Sequence, residues 1–272
     1  MQGSANLNLM IKAARKAGRS LVKDFREVEN LQVSAKGPGD FVTRADREAE
    51  RIIKEELRGA RPSYGWLGEE TGEEAGEDPT RRWIVDPLDG TTNYARGLPG
   101  FSVSIAAARD GIVQCGVVYD PLLDLVFGAQ RGQGAYCNGE RLHVSQTADV
   151  GSSLVLLDWP RDPAPREAMA DLLSRVVPVV DAVRSRGSAA FGMCAVAAGW
   201  ADAYFQLTLQ PWDVAAGWLI VEEAGGRVTD LAGASSALSC GDWLVTNGLV
   251  HTAFLPYTQA ARAAGVAEPM RP

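Results

Sequence analysis

The sequence predicts a layered α/β sandwich in which helices and sheets alternate. Apolar residues recur at helical spacing near both ends of the chain, and short apolar segments bounded by turn residues fill the middle. In the second half, such strands alternate with helices, which is typical of layered α/β folds. A chain of 272 residues with 46% apolar residues buries about three quarters of its unfolded surface.

The first elements follow from periodicity. Residues 9–25 carry apolar side chains at helical spacing, and residues 45–57 form a second helical face. Between them, the segment 36–40 (Lys-Gly-Pro-Gly-Asp) predicts a flexible loop. Residues 82–86 are short, apolar and followed by Pro87, a pattern that predicts a buried strand ending in a loop.

Hairpin turns organise the strands that follow. Asp110-Gly111 separates apolar residues 103–107 from 113–118, and Asn138-Gly139 lies between residues 135 and 144, so we expect an antiparallel meander. Gly132-Gln133-Gly134 lies between short strands and is interpreted as a turn, without a nucleotide cofactor. The second half then predicts strands at 154–157, 203–207, 227–229 and 243–246, and helices at 166–176, 188–199, 212–224 and 249–264.

The charge balance limits the partners. The net charge is −7 and the isoelectric point is near 5.0, which argues against nucleic acid because phosphate backbones are bound by clustered basic residues. An acidic site can still accept an anionic phosphate ester if a divalent cation reverses its local charge. Acidic composition and phosphate chemistry are therefore compatible through a bound metal.

Cysteines and histidines point away from several enzyme classes. The four cysteines (Cys115, Cys137, Cys194 and Cys240) show no CxxC spacing, so we expect reduced, mostly buried thiols. Basic residues interrupt the apolar pattern of the N-terminus, which predicts a cytoplasmic protein without a membrane span. His143, predicted in a strand, and His251 are expected to be structural, which disfavours histidine-nucleophile phosphatases and serine-histidine hydrolases.

The most informative string runs from Asp86 to Asn93 and reads DPLDGTTN. Pro87 fixes a turn, and Asp89 returns three residues after Asp86, so the two carboxylates can converge on one small volume. Magnesium would relieve their repulsion and takes hard oxygen ligands. The Gly90-Thr91-Thr92 backbone N–H groups suit phosphate oxygens.

Two further acids accompany this string. Glu69 follows the apolar pair Trp66-Leu67, and Asp213 lies in the first turn of a predicted helix. Each motif alone has a plainer interpretation: aspartates beside proline and glycine form turns, and Asp213 interacts favourably with the helix dipole. The neighbouring acids Glu70, Glu73, Glu74, Glu77 and Asp78 are interpreted as a solvated acidic loop.

Taken together, GEE, WIVDPLDGTTN, PWDVAAG and EEAGG resemble the inositol monophosphatase family of magnesium-dependent, lithium-sensitive phosphatases. The motifs occur in that family's order and spacing, and the similarity extends to GVVYDP, GAYCNGERLHVS and RSRGSAAFGMC, covering nearly the whole chain. The resemblance implies a five-layer αβαβα sandwich of the sugar phosphatase type, two or three Mg²⁺ ions and a homodimer. We expect an N-terminal αβ half (1–150) with the GEE and DPLDGTT motifs, packed as one compact unit with a C-terminal half (151–272) that carries the WD motif.

The resemblance also implies residue roles. Metal ligands would be Glu69, Asp86, the Leu88 carbonyl, Asp89 and Asp213, while Gly90 and Thr91 would hold phosphate. The catalytic set would be Thr91, Asp46 and Glu69, with Thr91 and Asp46 orienting and deprotonating the attacking water. Lys36 would belong to a mobile loop on the metal side, and the substrate face would comprise Gly187, Ser188, Ala189, Gln206 and Asp213.

Gln206 departs from the family pattern, because inositol-hydrolysing members usually carry a glutamate there, whereas an amide is neutral and also donates. It is either a specificity residue or a polar residue that closes a strand. The expected substrate is inositol-1-phosphate or a related polyol or sugar phosphate. Histidinol phosphate, fructose bisphosphate and phosphoadenosine 3′-phosphate remain alternatives, as does a different class of function, a phosphatase-like regulator of transcription or RNA processing.

Overall fold

A computed structural model describes residues 3–31, 38–160, 163–235, 237–238 and 241–263. The helices in these ranges are α1 Ala5–Leu31, α2 Pro38–Ala60, α3 Thr91–Ala95, α4 Pro163–Val176, α5 Ala189–Ala197, α6 Pro211–Glu223 and α7 His251–Ala263. The strands are β1 Tyr64–Gly68, β2 Gly72–Glu74, β3 Asp78–Asp89, β4 Ser102–Arg109, β5 Ile112–Asp120, β6 Leu125–Gln130, β7 Ala135–Cys137, β8 Glu140–Arg141, β9 Leu154–Leu157, β10 Ala182–Arg184, β11 Ala203–Gln206, β12 Arg227–Thr229 and β13 Trp243–Thr246.

The strands form two sheets. The first has eight strands in the order β2-β1-β3-β4-β5-β6-β7-β8 and is antiparallel from β3 onward, with β1 parallel to β3. The second has five strands in the order β10-β9-β11-β13-β12. The first sheet uses only strands from residues 64–141, and the second only strands from residues 154–246, within the described chain.

Alternating side chains of each sheet face two different helix layers, because successive residues of a strand point to opposite faces. Trp83 and Val85 of β3 pack against α1 and α2, whereas Ile84 between them packs against α5 and α6. The second sheet covers the other side of α5 and α6, and its far face packs against α4 and α7. The five-layer αβαβα sandwich is therefore confirmed.

Three local predictions were wrong. Pro38 to Asp40 form the first turn of α2 rather than a loop, and proline is favoured there because its missing N–H would have no helical partner; Lys36 and Gly37 lie outside the described residues. β3 does not end at Asp86 but continues to Asp89 with an irregular register against β4. His143 lies after β8, not in a strand.

None of the described helices is long and apolar enough to cross a bilayer. Cys115, Cys137 and Cys194 are free thiols, of which Cys137 is only half-buried, and burial raises the pKa of all three. Cys240 lies outside the described residues. Both hairpin turns adopt positive φ at their two central residues, as in the turns that match strand twist: Asp110 and Gly111, and Asn138 and Gly139.

His251 lies in the core, which agrees with its structural interpretation, and it makes the stability of the fold depend on pH. Its ring is buried between the hydroxyls of Thr229 and Thr246, each 3.0 Å away. Burial, and then the charge of Arg227, lowers the pKa of His251 to about 4. Because the unfolded chain takes up a proton at its ordinary pKa near 6.5 and the folded chain does so only near 4, stability falls as pH drops between these values.

We expect the free energy of unfolding to decrease by about 3 kcal/mol between pH 7 and pH 4 on account of this histidine. Urea unfolding at several pH values measures it. The His251→Gln variant, which keeps hydrogen-bonding atoms but does not titrate, should show a flatter profile over this window. An unchanged slope in the variant would contradict the assignment.

Candidate active site

The end of β3 presents two buried aspartates. Asp86 and Asp89 are both buried, and the Oδ1 atom of Asp86 accepts the N–H of Leu88 at 2.9 Å. The register of β3 against β4 changes between them: Asp86 pairs with Ser104, and Asp89 pairs with Ser102. This irregularity is one residue longer on β3 than on β4, and it brings Asp86 and Asp89 close to each other at the strand end while the sheet pairing continues.

Two serines of β4 connect this strand end to the second half of the chain. Ser104 donates to the carbonyl oxygen of Trp212 at 3.1 Å, and Trp212 directly precedes Asp213. The Oγ atom of Ser102 lies 3.1 Å from that of Ser188, which donates to Oδ2 of Asp89 at 2.6 Å. The N-termini of α6 and α5 are thereby attached beside Asp86 and Asp89.

Asp213 is the third residue of α6 and belongs to a capping box. Its Oδ2 atom accepts the backbone N–H of Gln210 at 2.7 Å, and the Gln210 side chain caps the backbone at position 213 in return. This exchange satisfies two N–H groups at the helix start. Asp213 therefore does stabilise the start of α6, as its plainer interpretation expects. The capping box also fixes the position of the Asp213 carboxylate.

Glu69 reaches the same region from β1. Because β1 runs parallel to β3 with Gly68 opposite Val85, the turn after β1 lies beside the turn after β3, and the Glu69 N–H donates to the Val85 carbonyl at 3.1 Å. The buried Glu50 of α2 holds this turn, because its carboxylate accepts the N–H of Glu70 at 2.9 Å and the hydroxyl of Thr71.

Four of the remaining acids of this stretch have other partners. Glu70 pairs with Arg47, Glu73 with Arg82, and Glu74 with Lys54 and Arg58. Asp78 pairs with Arg81. These are surface ion pairs, some of them within β2 and β3 rather than in a loop, and they agree with a structural role.

The predicted acids influence one another electrostatically. Burial, and then the charges of Glu69, Asp89, Asp213 and Asp46, raise the pKa of Asp86 well above its usual value. Burial also raises the pKa of Asp89 to about 6, against the opposing effect of hydrogen bonds from Ser188 and the Ala190 N–H. Five carboxylates from four segments therefore share one neighbourhood, where their negative charges oppose one another.

The oxygen atoms of Glu69, Asp86, Leu88, Asp89 and Asp213 are of the chemical types that bind a hard divalent cation. Carboxylate and carbonyl oxygens are the ligands that magnesium prefers, and each carboxylate oxygen can accept more than one partner. As arranged, no group of three or more Asp, Glu, His or Cys side chains in the described chain is placed so that it could hold a metal ion. In this arrangement, Asp89 accepts a hydrogen bond from Ser188, and Asp213 accepts one from the backbone N–H of Gln210.

The loop after Asp89 is closely packed. Gly90 has φ +100°, and a Cβ atom there would lie 2.8 Å from the carbonyl oxygen of Gly100 and 3.0 Å from that of Gly187. Only glycine fits this conformation and spacing. The Thr91 hydroxyl donates to the Leu88 carbonyl at 3.3 Å, and Asp46 is buried on α2, close enough to influence Asp86.

The predicted substrate face lies next to this loop. Gly187 has φ +75°, and Ser188 is the N-cap of α5 and accepts the Phe191 N–H at 3.3 Å. Ser188 and Ala189 are both buried, and the Ser188 hydroxyl is occupied by Asp89. Gln206 is half-buried at the end of β11, and its Oε1 atom accepts the hydroxyl of Tyr204.

Sequence reasoning missed several residues of this neighbourhood. Ser102 and Ser104 carry no motif of their own, and only the pairing of β4 with β3 identifies them. Tyr204 is buried, and burial followed by the charges of Asp158, Asp89 and Asp213 raises its pKa well above the usual value. Asp158 had a sequence signal, because it directly follows the apolar segment predicted as a strand at 154–157 and stands two residues before Pro160.

Comparisons with known proteins give a consistent result. A family model described as "Inositol monophosphatase family" matches residues 5–266. The chain is 46% identical to an inositol-1-monophosphatase of Mesorhizobium japonicum (94% of this chain, 96% of the relative) and 38% identical to the Nus factor SuhB of Escherichia coli (92% and 94%). It is also similar to the crystal structure of the extragenic suppressor protein suhB from Bartonella henselae, with a TM-score of 0.87, 44% identity and coverage of 94% and 99%.

Proposed function

The chain belongs to the inositol monophosphatase family, and from this membership we propose how its residues carry out the hydrolysis of a phosphate monoester. The family's activity is magnesium-dependent phosphatase chemistry, which makes the chain a phosphoric monoester hydrolase. The observation that carries the residue assignment is that hydrogen bonds bring three segments together. The Glu69 N–H donates to the Val85 carbonyl of β3, and the start of α6, next to Asp213, is bonded to Ser104 of β4, which pairs with Asp86. Such a cluster of acids suits cations that a phosphate ester can share.

We assign metal binding to Glu69, Asp86, the Leu88 carbonyl, Asp89 and Asp213. Two or three Mg²⁺ ions bound there would lower the pKa of water and neutralise charge on the phosphoryl oxygens. The backbone N–H of Leu88 holds the Asp86 carboxylate at the end of β3, and the backbone N–H of Gln210 holds the Asp213 carboxylate at the start of α6.

The remaining roles concern water and phosphate. The Gly90 and Thr91 N–H groups bind phosphate oxygens, and Gly187, Ser188 and Ala189 form the wall beside the alcohol. The Thr91 hydroxyl orients the attacking water, and Asp46 receives its proton, with Glu69 assisting. The water oxygen bonds to phosphorus in line with the ester bond, which breaks; the departing alkoxide oxygen takes a proton from solvent water, so that the alcohol and inorganic phosphate are the products. No phosphorylated side chain forms.

The substrate we propose is inositol-1-phosphate or a related polyol or sugar phosphate. Release of inorganic phosphate from a panel of esters, with Mg²⁺ and with excess chelator, tests it. The panel contains inositol-1-phosphate, fructose bisphosphate, histidinol phosphate and phosphoadenosine 3′-phosphate. We expect magnesium-dependent release, highest for the polyol phosphate. A higher kcat/KM for another member would replace the substrate proposal, and release that survives the chelator would contradict the metal-dependent mechanism.

Gln206 offers a sharper test of specificity. Its Oε1 atom accepts the Tyr204 hydroxyl, so its amide NH₂ is the group left to face a substrate. Glutamate would instead offer an acceptor for a ring hydroxyl. We expect Gln206→Glu to raise kcat/KM for inositol-1-phosphate about tenfold relative to the other esters.

The control for this prediction is Tyr204→Phe, which removes the hydroxyl that orients the amide but leaves the ring in the core. Discrimination among the esters should shrink in this variant. If Gln206→Glu changes every ester equally, Gln206 only closes a strand and does not read the substrate.

A homodimer in the cytoplasm is proposed for the chain, with no membrane and no nucleic acid bound directly. The family resemblance supports the dimer, and the net charge of −7 supports the absence of direct nucleic-acid binding. Light scattering coupled to size exclusion reports the mass: about twice the 29.0 kDa of one chain is expected. A monomer at micromolar concentration would remove the dimer proposal.

A second candidate function comes from the relatives called Nus factor SuhB, at 38–41% identity. We propose that this chain has an additional, non-catalytic role as a regulator of transcription or RNA processing. A strain that lacks the chain would be complemented with the Asp89→Asn variant. Restoration of growth without phosphatase activity would support the second function, and failure would assign the phenotype to catalysis.

A further inference from the structure

A short segment, residues 185–188, joins the second sheet to the candidate site, and one buried aspartate holds it. Asp158, directly after β9, is 5% exposed. Its Oδ1 atom accepts three hydrogen bonds: from the Ser185 hydroxyl at 2.7 Å, the Arg186 N–H at 3.0 Å and the Gly187 N–H at 2.6 Å. One carboxylate oxygen therefore fixes three consecutive residues, and hydrogen bonds to a charged acceptor are the stronger kind.

The other side of the segment is held by Asn93, the last residue of the DPLDGTTN string. Its Nδ2 atom donates to the carbonyl oxygens of Arg186 and Gly100, both at 2.7 Å. Gly187 lies against this amide so closely that a Cβ atom would be 2.6 Å from Nδ2. The segment is clamped between the end of β9 and the loop that carries Gly90.

The segment ends at Ser188, where it acts on the acids of the site. The Ser188 hydroxyl donates to Oδ2 of Asp89 at 2.6 Å, and the Ala190 N–H donates to the same oxygen at 2.8 Å. The Gly187 carbonyl lies against Gly90. The orientation of one carboxylate and the position of the glycine loop both depend on where this segment is held.

We propose that Asp158 is a positioning residue of the reaction. Through residues 185–188 it sets the orientation of the Asp89 carboxylate and the position of the phosphate loop, which we define as Gly90 and Thr91. The inference rests on the proposed function. The Oδ2 atom of Asp158 is buried and makes no hydrogen bond with the described residues. A buried oxygen without a hydrogen bond lowers the stability of the fold. A purely structural role therefore does not explain an aspartate at this position.

The chain supplies a matched control in Asp202, which is 6% exposed. Asp202 also accepts a serine hydroxyl and a backbone N–H, from Ser145 and from Leu154 at 2.7 Å. It precedes β11, whereas Asp158 follows β9, and these two strands are parallel neighbours. Both aspartates therefore accept hydrogen bonds from a serine hydroxyl and from backbone N–H groups, at opposite ends of one sheet. Only Asp158 lies at the end that faces the site.

The test compares Asp158→Asn and Asp202→Asn in the full chain, with melting temperature, kcat, KM and the Mg²⁺ concentration for half-maximal activity measured for each. We expect Asp158→Asn to lower kcat about tenfold and to raise the half-maximal Mg²⁺ concentration several-fold, the size of effect typical of groups behind a metal ligand. KM should change less than kcat. Asp202→Asn should lower the melting temperature about as much as Asp158→Asn does, but its kcat and its response to Mg²⁺ should equal those of the wild type.

Asn93→Ala approaches the same clamp from the other side and serves if Asp158→Asn does not fold. It should reproduce the changes in kcat and Mg²⁺ response, and the double variant should lose less than the product of the two single losses, because both act through one segment. Unchanged kcat in Asp158→Asn, or an equal loss of kcat in Asp202→Asn, would overturn the proposal. Wild-type protein without magnesium-dependent hydrolysis would instead refute the proposed function.

Discussion

Asp89→Asn is expected to reduce phosphate release about 10³-fold or more, an effect of the size seen when a residue acting directly on the transition state is removed. The reason is chemical. Asparagine offers one carbonyl oxygen and no charge, so it is a much weaker ligand for Mg²⁺ than the carboxylate. The Asp89 carboxylate is also the acceptor through which Ser188 and the Ala190 N–H attach α5 to the site.

The same variant should remain folded, which separates loss of chemistry from loss of structure. The amide oxygen can still accept from Ser188, and removal of one negative charge relieves the repulsion that raises the pKa of Asp86. We therefore expect a melting temperature in the absence of metal at least equal to that of the wild type. Added Mg²⁺ should stabilise the wild type more than the variant, since ligands that bind only the folded state raise its stability.

Asp202→Asn is the control for Asp89→Asn, because Asp202 is a buried and hydrogen-bonded aspartate outside the site. It should retain wild-type turnover and the wild-type response to Mg²⁺. Turnover in Asp89→Asn equal to that of Asp202→Asn would remove Asp89 from the catalytic centre.

Gly90→Ala is expected to have the second-largest effect. Its Cβ atom would lie 2.8 Å from the Gly100 carbonyl oxygen, 3.0 Å from the Gly187 carbonyl oxygen and 3.1 Å from the Phe101 Cα atom, at a φ of +100°. All three are backbone atoms, so no side chain can move aside. The variant should lose about 2–4 kcal/mol of unfolding free energy through strain and overpacking, and about 100-fold in kcat because a shift of about 1 Å in the phosphate loop misplaces the reacting groups.

Gly111→Ala separates these two causes. Gly111 has φ +76° but open space around its Cα, with nothing within 4 Å of a Cβ atom. This variant should lose only the cost of the left-handed conformation, about 1–2 kcal/mol, with unchanged kcat. Denaturant unfolding and steady-state kinetics on both variants measure the difference. Equal losses in both would mean that the close packing of Gly90 has no special role.

Much of the fold could be predicted because local signals agreed. β9, β12 and β13 have the predicted bounds, and the hairpin turns were visible as Asp-Gly and Asn-Gly pairs. β1 was missed as a strand, because two of its five residues are glycines. The start of α2 at Pro38 was missed because glycine and proline on either side of a helix start resemble a loop.

The site was only partly visible in the sequence. Glu69, Asp86, Asp89 and Asp213 stand in recognisable motifs, and their mutual electrostatic influence agrees with the expectation that they gather. The roles of Ser102, Asn93 and Asp158 were missed because they come from contacts with residues 86, 93 and 28 positions away along the chain, which no local pattern records. These are the residues that fix geometry rather than supply ligands.

Our proposal requires that divalent cations be bound jointly by Glu69, Asp86, Asp89, Asp213 and the Leu88 carbonyl. Crystals grown with Mn²⁺, which takes the same hard oxygen ligands as Mg²⁺, test it through the anomalous signal of the metal. We expect two or three anomalous peaks about 2.0–2.3 Å from oxygen atoms of these residues. Well-diffracting crystals at millimolar Mn²⁺ with no peak among these side chains, or with peaks only elsewhere on the surface, would contradict it.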